Sequence, residues 1–106
     1  MKIFILLFSV LFNFVKADVS NKWLGNWIAF DQWQSEFEIK LEENGKAYST
    51  YADGDEGAWS LLDGNLVIKW NSGKKDYIFD GVMGKQRIHE NKNKSYTSGI
   101  KKKLSN

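Results

Sequence analysis

The chain has 106 residues, with 15 Lys and Arg against 13 Asp and Glu, 5 Trp, no Cys and no Pro. Without Cys there are no disulfides, no thiolate metal sites and no Cys nucleophile. A formal charge of +2 gives no footing for a nucleic-acid partner, which a basic surface of much larger excess would be needed to hold.

Met1-Lys2 is followed by an apolar run from Ile3 to Val15 and then by Lys16 and Ala17. This pattern predicts a secretory signal peptide over residues 1–17, cleaved after Ala17, and hence a secreted or periplasmic protein. The run has 13 residues and contains Asn13, whereas a membrane-spanning helix needs about 20 apolar residues. The 89 residues that remain carry 13 bases and 13 acids, a net charge near zero, and suffice for one small domain, expected over residues 18–100, followed by a basic tail over residues 101–106. A small exported domain without disulfides must rely on packing or on closing its sheet.

Asn21 to Asp31 reads as a first strand with Gly25 inside it, a residue that suits a strand only where a ring or another backbone lies close. Trp27 shares its face. A second strand is expected to begin at Trp33, with Phe37, Ile39 and Leu41 alternating against Glu36, Glu38, Lys40 and Glu42, so one face is wet. Asn44-Gly45 is a hairpin signal. A two-residue loop there puts Tyr48 on the Leu41 side, and a three-residue loop puts Ala47 and Tyr51 there, so the register stays open at this point. Asp53 to Gly57 forms a loop.

From Gly57 to Asp80 three strands are joined at Asp63-Gly64 and Ser72-Gly73, both read as two-residue turns. The first pairs Leu62 with Asn65, Leu61 with Leu66, Trp59 with Ile68 and Gly57 with Trp70. The second pairs Asn71 with Lys74, Trp70 with Lys75, Ile68 with Tyr77 and Leu66 with Phe79. Trp59, Trp70, Tyr77 and Phe79 then share one apolar face. Val82 to Glu90 is a weaker strand in which Val82 and Ile88 face one way and Arg87 and His89 the other, outward. A polar turn, Glu90 to Lys94, leads to a last strand and the basic end. The fold class is therefore all-β: an antiparallel up-and-down meander of about eight short strands, closing into a small closed or partly open barrel that removes exposed edges.

Gly25-x-Trp27 at the start of such a meander resembles the opening of the calycin superfamily of lipocalins, fatty-acid-binding proteins and avidins. The resemblance implies a structural role for Gly25 and Trp27. By that resemblance Trp27 is expected to plug the closed end of the barrel, with a late basic residue, Lys101 or Lys102, packing across it. The chain is shorter than a lipocalin and lacks its closing helix and its second signature motif. It is also similar to small secreted bacterial proteins of unknown role with a Trp-x-Gly-x-Trp start (Trp23 to Trp27), a Gly-x-Trp strand (Gly57 to Trp59) and a Trp-x-x-Gly turn (Trp70 to Gly73), a likeness that implies fold and export and no activity.

The candidate ligand-binding residues are Trp59, Trp70, Lys75 and Tyr77. A Lys in line with aromatic side chains marks a barrel mouth, and rings flanking a mouth suit a small apolar or sugar-like ligand. Asp53, Asp55 and Glu56 keep only the first spacing of a calcium loop and read as a solvated turn. His89, the single His, reads as a surface residue. No phosphate loop, nucleophile elbow or metal signature is present, so the expectation is a non-enzymatic protein with no catalytic residues, no metal and no cofactor. Nine acids against Lys40 and Lys46 lie between Asp31 and Asp63, and Lys85, Arg87, Lys92, Lys94 and Lys101 to Lys103 face Glu90 alone after Gly81. The alternative function is thus an envelope-associated or inhibitory protein that meets an anionic partner through this basic surface.

Overall fold

The computed structural model describes residues 21–104; the expected signal peptide lies outside the described residues. A single turn of 3₁₀ helix, Asn21–Trp23, precedes eight strands: β1 (Gly25–Phe30), β2 (Glu36–Leu41), β3 (Lys46–Ser49), β4 (Asp55–Leu62), β5 (Asn65–Trp70), β6 (Lys75–Gly81), β7 (Gly84–Asn91) and β8 (Lys94–Lys102). Each pairs antiparallel with the next, and β8 returns to β1 through Trp27 opposite Lys102 and Ala29 opposite Ile100, so the meander closes into a barrel. Closure gives each described strand a paired neighbour on both sides. β8 continues through Lys101 and Lys102, so two of the residues expected in a tail belong to the wall.

The Asp63-Gly64 hairpin has the predicted register, from Leu62 opposite Asn65 to Gly57 opposite Trp70. Asp63 and Gly64 both take positive φ, 53° and 82°, as a primed two-residue turn requires. At Asn44-Gly45 Leu41 pairs with Ala47, which puts Ala47 inside. The next turn differs from the expectation. Trp70 N–H donates to the Lys74 carbonyl and Gly73 N–H to the Trp70 carbonyl, each at 2.9 Å, so three residues span the hairpin with Gly73 left-handed at φ 96°. The pairing becomes Lys69 with Lys75, Ile68 with Asp76, Val67 with Tyr77 and Leu66 with Ile78. A slip of one residue inverts a strand: Asp76 and Ile78 point inward, and Lys75, Tyr77 and Phe79 point outward.

The same inversion holds on β7. Arg87 opposite Ile78 and His89 opposite Asp76 share the inner face, and Ile88 lies outside opposite Tyr77. Arg87 is fully buried. Val82 and Met83 are exposed in the turn before β7 and belong to no strand. Trp33 is exposed too, in a turn that Asp31 organises by accepting hydrogen bonds from the Trp33 and Ser35 amides at 2.8 and 2.9 Å; β2 begins at Glu36 because this local Asx geometry competes with the ladder.

One end of the barrel is plugged. Trp23 and Trp27 lie with ring centroids 5.7 Å apart, and the Trp27 indole N–H donates to the Trp23 carbonyl at 2.9 Å. Lys102 sits 4.8 Å over the Trp27 ring and donates to the Leu24 carbonyl. Of the two basic residues considered, Lys102 is the one that crosses the tryptophan. Gly25 holds φ 110° and leaves room for the Lys102 side chain. Above the plug, Ala29, Ile39, Leu41, Ala47, Leu66, Ile68, Ile78 and Ile100 fill the interior, with Phe37, Trp59 and Leu61 packed against them.

Gly57 is needed where β4 crosses β5. A Cβ there would collide with the Lys69 carbonyl and stand 2.9 Å from Trp70 Cα, whereas one on Gly99 meets nothing within 4 Å. Gly57→Ala is expected to lose about 2–3 kcal/mol of stability, the cost of forced overpacking, and Gly99→Ala to stay within about 0.5 kcal/mol of the parent, as denaturant titration of both variants measures.

Candidate functional site

The end of the barrel opposite the tryptophan plug opens to solvent around a cavity of about 420 Å³. Its floor is ionic. Asp76 from β6 and Arg87 from β7, each with a side chain 1% exposed, pair at 2.6 Å through Asp76 Oδ1 and Arg87 Nη1. His89 Nδ1 lies 2.7 Å from the same oxygen. Nδ1 also lies 3.2 Å from Arg87 Nη1, which can only donate; the contact to the carboxylate oxygen, which only accepts, is the shorter at 2.7 Å, so Nδ1 carries the hydrogen and donates it to Asp76. The Trp70 indole N–H donates to Asp76 Oδ2 at 2.9 Å. Arg87 Nη2 donates to the Phe30 carbonyl at 2.8 Å and to the Tyr96 hydroxyl at 2.9 Å. Its guanidinium lies 5.1 Å from the Phe37 ring centroid and 5.4 Å from that of Tyr96, and Nε has no partner.

Strand geometry assembles the cluster. His89 and Arg87 are two residues apart on β7 and so share a face, and the shifted β5–β6 turn brings Asp76 opposite His89. Tyr96 on β8 lies opposite His89 from the other side, with ring centroids 5.1 Å apart. Phe37, Ser49, Tyr51, Lys74 and the loop around Asp53 and Asp55 complete the walls and rim. Asp55 is engaged locally, accepting from the Glu56 amide at 2.9 Å and from the Ser72 hydroxyl. Among the described residues no group of three His, Asp or Glu side chains converges to hold a metal ion.

Burial favours the neutral form of Asp76, but the His89 hydrogen bond, the Arg87 charge and the Trp70 N–H outweigh it and hold the carboxyl below its ordinary value. Burial pushes the Tyr96 hydroxyl up, against the opposing pull of Arg87. Tyr96 thus remains a phenol across the neutral range, and because its oxygen accepts from Arg87 its own hydrogen is left to donate.

The four expected ligand-binding residues are distributed over three places. Trp70 forms part of the cavity wall. Trp59 points inward one layer deeper, beside Ile68, with its indole N–H donating to the Glu42 carbonyl at 2.8 Å, and does not line the mouth. Lys75 and Tyr77 are on the outer surface, where Lys75 pairs with Glu90 at 3.7 Å and the Tyr77 hydroxyl accepts from Asn65 at 3.0 Å. The shared face expected for Trp70, Tyr77 and Phe79 is therefore corrected, and so is the outward placement of Arg87 and His89. Asp76, Arg87, His89 and Tyr96 escaped the sequence reading because the rule that apolar residues face inward fails at this end. Asn71-Ser72-Gly73, with Gly third, was the signal for a three-residue loop. Comparison with protein-family models, curated proteins and solved structures finds no match for this chain.

Removing one member of a buried ion pair leaves the other charge uncompensated. Arg87→Met is expected to destabilise by about 3–5 kcal/mol, measured by chemical denaturation at neutral pH. Asp76 is depressed in the folded state, so the stability it contributes is complete above its unfolded value near pH 4 and is lost as pH falls through the lower folded value. The melting temperature of the parent should therefore fall more steeply below about pH 4 than that of Asp76→Asn.

Proposed function

We propose that the protein is an exported binding module of calycin type that holds a small apolar or aromatic molecule at the open mouth of its barrel. The observation that carries this reading is the mouth itself, a cavity of about 420 Å³ walled by Phe37, Tyr51, Trp70 and Tyr96 above a polar floor, the combination of apolar walls and few convergent polar groups that small-molecule sites use. Gly25, Trp27 and Lys102 at the plugged end support the calycin assignment, and the leader pattern of residues 1–17 supports export to the periplasm or the medium.

The alternative, recognition of an anionic envelope partner by the basic C-terminal residues, draws less support. Lys102 is committed to Trp27 and Lys103 pairs with Glu38 at 2.8 Å, so two of the three lysines serve the wall. The Asp76–Arg87 pair likewise directs its charges at each other.

The test is a fluorescence titration with 1-aminoanthracene, a neutral aromatic probe. Binding at one site is expected, weakened at least tenfold, about 1.4 kcal/mol, by Tyr51→Ala and unchanged by Tyr77→Ala on the outer wall. The reverse result would move the site to the outer depression lined by Leu62, Val67, Tyr77 and Ile88.

A further inference from the structure

His89 is the only His of the chain, and its setting is that of an oriented base. Nδ1 is committed to a buried carboxylate at 2.7 Å, which selects the tautomer and leaves Nε2 as a lone-pair nitrogen. The ring lines the mouth cavity with the side chain 17% exposed, and Nε2 is not among the buried polar atoms that lack a partner. Tyr96 stands against the ring at 5.1 Å with a hydroxyl hydrogen to give, its oxygen held by Arg87. A base and a hydrogen-bond donor, each fixed from behind by a buried charged group, face one small cavity. The outward placement expected for Arg87 and His89 is corrected, and with it the reading of His89 as a surface residue: both side chains face inward.

We propose that the mouth is a proton-transfer site in which His89 Nε2 is the general base and Tyr96 the electrophilic donor, acting on a small, largely apolar carbonyl compound with an acidic C–H beside the carbonyl. Nε2 takes the proton from that carbon. The C–H electron pair becomes the C=C bond of an enolate, and the carbonyl π pair moves to oxygen, where the Tyr96 O–H meets the developing charge. Asp76 stabilises the imidazolium, which returns its proton to carbon, so the step is an isomerisation or exchange with no net oxidant or co-reactant. The charged and titratable groups around His89 are Asp76 from β6, Arg87 from β7, Tyr96 from β8, Tyr51, Asp53 and Asp55 from the β3–β4 region and Lys74 from the β5–β6 turn.

This inference rests on the mouth admitting a small molecule, and the experiment separates the two. The probe is 5-nitrobenzisoxazole, which reacts when a base removes its ring C–H proton, the N–O bond breaks and a coloured cyanophenolate leaves. The full folded protein is expected to show saturable turnover. His89→Gln should lower kcat at least about 100-fold, and Tyr96→Phe should lower kcat while the probe still saturates. Because there is one His, carbethoxylation with diethyl pyrocarbonate tests the base without a mutation, and activity should fall in proportion to the modification. If the probe quenches tryptophan fluorescence saturably but reacts no faster than with free imidazole, or if the modified protein keeps its rate, the general-base assignment is overturned and the binding site stands. If the probe neither binds nor reacts, and 1-aminoanthracene does not bind either, both are overturned.

Discussion

One buried carboxylate organises the open end of this barrel. Asp76 accepts hydrogen bonds from side chains on β5 and β7, and through Arg87 the network reaches Tyr96 on β8 and the Phe30 carbonyl on β1. Taking Asp76 and Arg87 out of water is costly, and their mutual attraction offsets that cost only while the surrounding donors and acceptors are in place. The pair is therefore poor evidence for net stability and good evidence for specificity, because a one-residue slip of β6 or β7 alone would leave one charge in the interior without its partner.

The two ends of the barrel solve different problems. At the plugged end, Trp23 and Trp27 close the interior, and Lys22, Lys85 and Lys102 lie 4.8–5.1 Å from their ring centroids. Cations over ring faces let the plug meet water without exposing large apolar area. Burial lowers the affinity of Lys102 for its proton, as expected of an ammonium drawn down onto a ring. At the mouth the interior is polar and the apolar residues are displaced outward, which puts Val67, Tyr77, Phe79 and Ile88 on the outer wall and leaves a cavity in place of a core.

Binding and proton transfer make compatible demands on that cavity. Both need apolar walls that exclude water and a few fixed polar groups, and proton transfer adds only that one of those groups be a base held in a single tautomer. Asp76 meets that demand through His89 Nδ1, and Arg87 meets the matching one through the Tyr96 oxygen. The same two buried charges that set the register therefore also orient the groups facing the cavity.

The sequence by itself determined the class and the wiring. Hairpin signals at Asn44-Gly45 and Asp63-Gly64, alternation in β2 and the absence of helical periods were enough for an eight-strand meander, because turn chemistry and period-two patterning are local; the plugged end was marked only by the resemblance that Gly25-x-Trp27 carries. The tertiary structure alone decided the site. A single extra residue in the turn after Trp70 inverted β6, and on β7 the local preference of Ile88 for the interior lost to the pairing of Arg87 and His89 with Asp76. Those choices turn on charges that neutralise each other across the β6–β7 hairpin, a pairing between two strands that leaves no trace in the pattern of either one alone.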